Sequence, residues 1–373
     1  MALALYELAW RPAAALIRRT DAQVAHGRTL AMLRRADGLA LLGPLARLAN
    51  RVAFPDQPTD VGGVRLPHPI VIAAGLVKGE GFRSEDAALA AVDRRRNVVA
   101  GWRSLPALVG AVEFGSYTRH PRLGNPGRVV WRDHATRSMQ NRIGLRNPGA
   151  RAAAAHLRAH ADALPPVWGV NLAVSPGLAD LAESEREIHE AASFFAEAFP
   201  GAAGPAWLTL NLSCPNTEDD PRGRQSGELA ERLCGALAGV TRLPLWVKVG
   251  PDLSEEQLRS LLAACSASGV RAVVATNTWA RPAPTDGGTA GLSGARLRPL
   301  ALDTVRRLSA IVAETQAGLD IVACGGILDG GDLLAFEAAG ARAAMLYSAL
   351  VFRGPLAGAL ILREARKGRR RDR

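Results

Sequence analysis

The sequence predicts an α/β protein, a (β/α)8 barrel preceded by a small helical extension. Short apolar runs alternate with helical stretches eight times from about residue 60 onwards. Such alternation is typical of a parallel sheet closed into a barrel. Polar residues follow each of the eight runs, at the strand ends where barrel enzymes build their sites. A doubly wound open sheet is the alternative, but no GxGxxG follows a predicted strand.

Residues 1–58 are predicted to form the helical extension. Two or three short helices carry apolar side chains and many arginines, with Tyr6 and Trp10 near their start. An amphipathic, Arg-rich helical segment favours a peripheral position at a membrane surface, and helices that merely cap the next domain are the alternative. The first ten residues are apolar but short and are followed by Arg-Pro, so we predict neither a signal peptide nor a membrane span there.

Residues 59–367 are predicted to form the barrel. The candidate strands are residues 70–73, 112–114, 168–172, 207–212, 245–249, 272–276, 321–323 and 343–346. The candidate helices are residues 84–95, 150–164, 184–199, 227–240, 254–268, 300–315, 332–339 and 356–367. Capping-box spacing occurs at Ser184 with Glu187 and at Ser254 with Gln257. Residues 94–108 resemble an insertion, and residues 279–294 are predicted to be a long loop of the kind that is often functional.

The net charge of +11 is concentrated at the two ends of the chain. Residues 1–51 carry +5 and residues 363–373 carry another +5, so the body is close to neutral. This distribution favours an anionic membrane surface over a nucleic-acid partner, and residues 368–373 are predicted to be a basic tail. The cysteines Cys214, Cys234, Cys265 and Cys324 have no CxxC spacing, so we predict a reducing compartment, no disulfide framework and no metal site.

The predicted strand ends carry groups with a consistent chemistry. The run Asn211-Leu212-Ser213-Cys214-Pro215-Asn216 brings two amides and a thiol to one turn, and these could bind a polar ring and act as a base. An inward Lys248 needs an anionic partner, although a lysine that reaches solvent at the strand end is the alternative. Gly325-Gly326 and Tyr347-Ser348 follow strands seven and eight, where barrels bind phosphate. Together these groups indicate flavin-mediated removal of hydrogen.

Several motifs make the chain similar to the dihydroorotate dehydrogenase family. They are NLSCPNT, VEFGSYTRHPRLGNPGR, QNRIGLRNPGA, LWVKVGPDLSEEQL, VVATNT, GLSGARLRPLALDTVRRL, ACGGILDGGD and MLYSALVFRGP. The resemblance covers about residues 1–360, and the N-terminal helices resemble the extension of the membrane-associated, quinone-linked class. It implies FMN-dependent oxidation of (S)-dihydroorotate to orotate in de novo pyrimidine (UMP) biosynthesis. It also implies that electrons pass to a membrane quinone and that the protein is peripheral, at the cytoplasmic face.

The resemblance also implies which residues form the site. Cys214 would remove the C5 proton of the substrate while a hydride leaves C6. The residues implied to hold FMN are Ala74, Gly75, Lys78, Ser116, Asn171, Asn211, Lys248, Thr276, Ser293, Gly294, Gly325, Gly326, Tyr347 and Ser348. The residues implied to hold the pyrimidine are Lys78, Asn141, Arg142, Ile143, Gly144, Leu145, Asn211, Asn216, Asn277 and Thr278. Lys78 would pair with the substrate carboxylate, and Lys248 would stabilise the reduced, anionic flavin.

Some residues depart from the pattern of the quinone-linked class. That class normally has Ser as the base, whereas Cys214 and Leu145 resemble the soluble classes. Val77, Arg146 and residues 173–175 and 218–225 also depart from the usual sequence. Two alternatives therefore stay open: an FMN oxidoreductase that acts on another pyrimidine or enone, and a catalytically inactive barrel that serves as a binding protein. The intact Cys214, Lys78 and Lys248 favour an enzyme.

Overall fold

Eight parallel strands close into a barrel, which confirms the predicted fold. The computed structural model describes residues 2–178, 180–201, 204–213 and 226–371. The barrel strands are β3 (Ile70–Ile72), β4 (Ala111–Tyr117), β7 (Trp168–Leu172), β8 (Trp207–Asn211), β9 (Leu245–Val249), β10 (Ala272–Ala275), β13 (Asp320–Cys324) and β14 (Ala343–Leu346). Their order around the barrel is β10-β13-β14-β3-β4-β7-β8-β9. Because the strands are parallel, their carboxyl ends all meet at one rim.

Helices surround the barrel and connect its strands. They are α4 (Glu85–Asp93), α5 (Ser104–Val109), α6 (Ala150–Arg158), α7 (Leu181–Ala198), α8 (Gly227–Val240), α9 (Glu255–Ala267), α10 (Arg298–Thr315), α11 (Gly330–Ala338), α12 (Ser348–Arg353) and α13 (Ala357–Arg371), with a 3-10 turn at Ala161–Ala163. The predicted capping box at Ser254 and Gln257 is present at the start of α9. The basic residues near the C-terminus continue α13 as far as Arg371.

The capping box predicted at Ser184 is wrong, because α7 begins one turn earlier. Asp180 is the N-cap, and its carboxylate accepts a hydrogen bond from the Ala182 amide at 2.9 Å. Ser184 donates instead to the Asp180 carbonyl oxygen at 3.0 Å, and Glu187 accepts from the Ser175 amide at 2.6 Å. An Asp at the end of an extended segment caps a helix as well as Ser does, so the earlier residue takes the position.

Two further sheets close the ends of the barrel. A hairpin of β1 (Thr59–Val61) and β2 (Val64–Leu66) covers the amino ends of the strands, where its apolar side chains pack against Trp207 and Trp246 inside the barrel. At the other rim, β5 (Val130–Asp133), β6 (Ser138–Asn141), β11 (Trp279–Pro282) and β12 (Thr289–Gly294) form a four-stranded sheet in the order β11-β12-β6-β5. The segment predicted as a loop at residues 279–294 is therefore the hairpin β11–β12, and β6 pairs with its second strand.

The N-terminal extension consists of α1 (Ala2–Arg19), α2 (Ala22–Asp37) and α3 (Leu42–Ala53). Buried Asp37 joins it to the predicted insertion at residues 94–108. Its carboxylate accepts hydrogen bonds from Asn97 Nδ2 at 2.8 Å, from the Gly101 amide at 2.6 Å and from the Ser104 amide and hydroxyl at 3.0 and 2.8 Å. Within the described residues, no helix is both long and apolar enough to cross a bilayer.

Candidate functional site

A cavity of about 610 Å³ lies at the carboxyl rim of the barrel and continues up to α1 and α2. Most of the predicted site residues contribute to its wall. Those that line it are Ala74, Gly75, Lys78, Ser116, Asn141, Ile143, Gly144, Leu145, Asn211, Lys248, Thr276, Asn277, Thr278, Ser293, Gly325, Gly326, Tyr347 and Ser348. The closure of the barrel thus brings together residues that are far apart in the sequence.

A network of amides and hydroxyls forms one wall. Asn211 Nδ2 donates to Ser116 Oγ at 3.2 Å, and Asn277 Nδ2 donates to Asn211 Oδ1 at 3.2 Å and also to the Ser213 carbonyl oxygen. Asn277 Oδ1 accepts from the Thr278 amide at 2.8 Å. Buried Thr278 Oγ1 has no hydrogen-bond partner within the described residues. Amides held in fixed orientations suit the alternating donors and acceptors of a pyrimidine edge.

Glycines and hydroxyls converge on the wall formed by β12 and by the segments after β13 and β14. Ser348 Oγ donates to Ser293 Oγ at 3.3 Å. Gly326 has a φ of +76°, and a Cβ there would lie 2.6 Å from the Arg298 Cβ and 2.7 Å from the Gly294 carbonyl oxygen. Only glycine fits that position. Glycine has no Cβ and so leaves the backbone N–H groups accessible to a ligand. Accessible N–H groups beside two hydroxyls are typical of the phosphate sites of barrel enzymes.

Lys248 brings a positive charge to the cavity from inside the barrel. Only 6% of the residue is exposed, and its Nζ donates to Cys324 Sγ at 3.7 Å. Burial raises the pKa of the Cys324 thiol despite the opposing effect of the ammonium group, so the thiol stays neutral near pH 7. A buried cation of this kind favours an anion that forms next to it.

Glu113 was missed by the sequence analysis. This fully buried carboxylate lies inside the barrel and accepts hydrogen bonds from Asn171 Nδ2 at 2.9 Å, Trp207 Nε1 at 3.1 Å and Thr209 Oγ at 2.5 Å. The signal was present, because an acidic residue occupies the centre of the apolar predicted strand at residues 112–114. A charge at that position requires buried partners.

The upper part of the cavity lies between α1 and α2. Its lining there is mostly apolar and comprises Trp10, Ala13, Leu16, Ile17, Thr20, Ala22, Ala25, His26, Arg28, Thr29, Met32 and Leu33. Burial and the charges of Lys78 and Arg146 lower the pKa of His26, so its imidazole is neutral at pH 7. Arg132, which also lines the cavity, donates to the carbonyl oxygens of Ile17 and Thr20 at 2.6 and 2.8 Å.

Several predicted residues do not line the cavity. Arg142 forms a bidentate ion pair with Asp286, at 3.0 and 2.5 Å, and ties β6 to the β11–β12 hairpin. Asn171 is fully buried inside the barrel, and a Cβ on Gly294 would lie 2.4 Å from the Arg137 carbonyl oxygen. Cys214 and Asn216 lie outside the described residues.

The residues present fit a flavin. Thr278 Oγ1 in the cavity wall and Asn171 Oδ1 beneath that wall are buried and have no hydrogen-bond partner within the described residues, so each has capacity for a polar ligand. The glycine-lined wall fits a phosphate, and Lys248 fits an electron-rich ring edge. A (β/α)8 barrel with such a site defines the class of flavin-binding barrel oxidoreductases.

Within that class, the chain belongs to the dihydroorotate dehydrogenase family. The family model, described as dihydroorotate dehydrogenase, matches residues 58–367. Family membership implies a flavin cofactor.

Relatives match nearly the whole chain. A protein named dihydroorotate dehydrogenase (quinone) from Salinispora arenicola is 36% identical, and the match covers 94% of this chain and 96% of that one. The protein of the same name from Methylococcus capsulatus is 31% identical with the same coverage. Among solved structures, DHODH from Eimeria tenella in complex with ferulenol is similar with a TM-score of 0.67, over 87% of this chain and 89% of that chain, at 22% identity. That structural likeness supports the fold.

Proposed function

We propose that the protein oxidises (S)-dihydroorotate to orotate in de novo pyrimidine biosynthesis and passes the electrons to a membrane quinone. The relatives that carry this name match the chain over both the extension and the barrel. The observation that carries the proposal is the continuous cavity, which joins a polar wall at the barrel rim to a mostly apolar chamber between α1 and α2. A polar substrate and an apolar electron acceptor could thus approach one cofactor from different sides.

The proposed flavin is FMN, which has a single phosphate. The glycine-lined wall with Ser293 and Ser348 would hold that phosphate, and Ala74, Gly75, Ser116, Asn171 and Thr276 would surround the ring. When bound, FMN would accept the hydride that leaves the substrate, and with it both electrons of the oxidation. Lys248 would hold positive charge beside the pyrimidine edge of the cofactor and so favour its reduced, anionic form.

The substrate would lie against the amide wall. Lys78 would bind its carboxylate, and Asn211, Asn277 and Thr278 would bind the ring carbonyl and N–H groups, with residues 141–145 closing the site. Cys214 would take the proton from C5 as the hydride leaves C6, so that the C5–C6 double bond of orotate forms. The ion pair of Arg142 with Asp286 supports a role in holding the segment at residues 141–145 in place.

The quinone would enter between α1 and α2. Leu16, Ile17 and Met32 offer an apolar path, and the neutral His26 and the guanidinium of Arg132 can donate hydrogen bonds to the carbonyl oxygens of a quinone. This assigns the role of a quinone site to residues 1–58, with residues 59–367 as the FMN-binding barrel and residues 368–373 as a basic tail.

The extension would also bind the cytoplasmic face of the membrane as a peripheral element. Large apolar side chains are exposed on all three of its helices. Four of them follow at intervals of three or four residues from the N-cap of α3 onwards, with exposed fractions of 77% for Leu41, 58% for Leu45, 58% for Leu48 and 63% for Val52. That spacing places them on one helix face. An exposed apolar face accompanied by arginines is typical of helices that lie in a membrane interface.

The experiment that tests this function is an anaerobic absorption titration of the purified protein. Dihydroorotate should bleach the flavin band, and a soluble quinone should restore it. A flavin band that does not respond to dihydroorotate would move the substrate to another ring, and Val77 and Arg146 would then be the first residues to examine. A purified protein without flavin would favour the binding-protein alternative.

A further inference from the structure

The hydrogen bonds of Glu113 divide between its two carboxylate oxygens. Asn171 Nδ2 donates to Oε1 at 2.9 Å, whereas Trp207 Nε1 and Thr209 Oγ donate to Oε2 at 3.1 and 2.5 Å. Glu113, Asn171 and Thr209 all have an exposed fraction of 0%. Three donors around one buried carboxylate suit the ionised form, which only accepts.

This arrangement settles which end of the Asn171 amide faces Glu113. An acceptor-only carboxylate can bind the NH2 end of an amide but not its oxygen. Asn171 Oδ1 is therefore turned away from Glu113, and it has no hydrogen-bond partner within the described residues. A buried amide oxygen without a donor is costly, so a ligand that donates at this point would bind more tightly.

The position of Asn171 relates this acceptor to the cofactor site. In the strand register Asn171 pairs with Gly115 of β4 and with Thr209 of β8. Towards the carboxyl rim, Asn211 is the next inward residue of β8. On β4 the register shifts after Gly115, and the following residue, Ser116, lines the cavity together with Asn211. Asn171 thus belongs to the layer of the barrel directly beneath the amide wall. The isoalloxazine ring has one N–H donor in its oxidised form, at N3, on its pyrimidine edge.

We propose that Glu113 is a positioning residue that fixes the Asn171 amide so that Oδ1 accepts a hydrogen bond from flavin N3–H. The proposal rests on the proposed function, because it requires FMN in this cavity. Glu113 does not touch the cofactor. Glu113 determines that the Asn171 amide presents its oxygen, and not its NH2 group, to the flavin. A neutral residue at position 113 would no longer fix that orientation.

The Glu113→Gln variant separates this role from a purely structural one. Its side chain has almost the same shape, but it offers one acceptor and one donor group in place of two acceptors. The Gln oxygen would accept from Trp207, which can only donate, and the Gln NH2 would then face Asn171. The Asn171 amide would turn over and present Nδ2 to the flavin, so that a donor meets the N3–H donor.

The test uses the full-length chain, stripped of cofactor and titrated by calorimetry with FMN and with 3-deaza-FMN, in which a CH2 group replaces N3–H. Wild-type protein should prefer FMN by on the order of tenfold, because the analogue leaves Oδ1 unpaired. In Glu113→Gln that preference should fall to about one or reverse, since the analogue removes the conflict between donors. Thr209→Val is the matched control, because it deletes a hydrogen bond to Oε2 only and should keep the preference.

Every outcome bears on the proposal. An unchanged preference in Glu113→Gln, or no preference in the wild type while FMN still binds, would overturn it and leave the proposed function intact. A wild-type chain that binds no FMN would overturn both. Thermal melting shows whether each variant folds. If Glu113→Gln does not fold, Asn171→Ala is decisive instead, because it should abolish the preference and a retained preference would refute the contact.

Discussion

At the barrel end the cavity is lined by amides, hydroxyls, glycines and two lysines, whereas between α1 and α2 it is lined mainly by Ala, Leu, Ile and Met side chains. The two ends are also held by different means. Strand closure fixes the polar end from within a parallel barrel, and packing against β5 and residues 94–108 holds the helices. The difference supports the proposed roles, in which the rim binds the flavin and the substrate and the extension gives an apolar electron acceptor access to the flavin.

The largest expected effect is a loss of turnover with dihydroorotate when the proposed base at the barrel end is removed. Cys214→Ala should lower turnover with dihydroorotate by on the order of 10²–10⁴-fold, the usual contribution of a general base. Reoxidation by quinone of protein reduced with dithionite should not change. Because free thiols titrate near pH 8.5, wild-type flavin reduction should rise with pH over that range. Stopped-flow absorbance measures both steps.

Cys234→Ala is a control for this prediction, because Cys234 is buried within α8, away from the cavity lining. It should retain turnover. Persistent flavin reduction by dihydroorotate in Cys214→Ala would remove that thiol from the mechanism and leave the polar end without a proposed base.

The junction between the two regions should depend on pH. His68 stacks on Phe54 of the extension with ring centroids 4.5 Å apart, and its Nε2 lies 2.8 Å from the Val109 carbonyl oxygen. Burial lowers the pKa of His68 to about 4. The unfolded chain therefore binds a proton below pH 6.5 that the folded chain excludes. The contribution of His68 to the free energy of unfolding is therefore fully present above pH 6.5 and is lost as the pH falls. At pH 5 the free energy of unfolding is lower by about 2 kcal/mol.

Denaturant unfolding at pH 8 and pH 5 measures this loss. His68→Gln should reduce the difference in the free energy of unfolding between pH 8 and pH 5. His189→Gln, at an exposed position of α7, should leave that difference unchanged. If the wild type and both variants lose the same free energy of unfolding between pH 8 and pH 5, His68 does not make the stability of the junction depend on pH.

The smallest expected effect concerns the outer face of the extension. The double variant Leu45→Ser, Leu48→Ser removes two exposed leucines from α3 and should weaken binding to anionic vesicles by at least about tenfold, because each buried leucine contributes to partitioning. Flavin reduction by dihydroorotate should not change. Leu123→Ser is the matched control, since Leu123 is 52% exposed but lies outside the extension. Co-sedimentation gives the measurement, and equal binding of both variants would exclude the α3 face.

The sequence predicted the barrel well because each strand carries its own signal. Short apolar runs between turns were enough to locate all eight strands, since burial on both faces makes parallel strands continuously apolar. The residues that follow those strands could then be assigned to one rim. Many of the predicted lining residues come from this step, which needs no knowledge of side-chain contacts. The family resemblance, and not the strand pattern, supplied Asn141, Ile143, Gly144, Leu145 and Ser293.

Contacts between distant segments could not be predicted in this way. Arg142 pairs with Asp286, 144 residues later, and no local pattern announces a partner at that separation. Asp37 likewise binds residues 97–104, which the sequence suggested only as an insertion. Glu113 was visible as a charge within a strand, but its donors come from β7 and β8 and exist only in the closed barrel.

The most direct test of the two-ended cavity is to block the helix end alone. Ala25→Trp would fill the chamber between α1 and α2, where Ala25 lines the cavity, and Ala31→Trp on the exposed side of α2 is its control. Flavin reduction by dihydroorotate should stay within about twofold of wild type, while reoxidation by quinone should slow by at least about tenfold in Ala25→Trp only. Equal loss of both half-reactions, or unchanged reoxidation, would contradict a separate apolar approach.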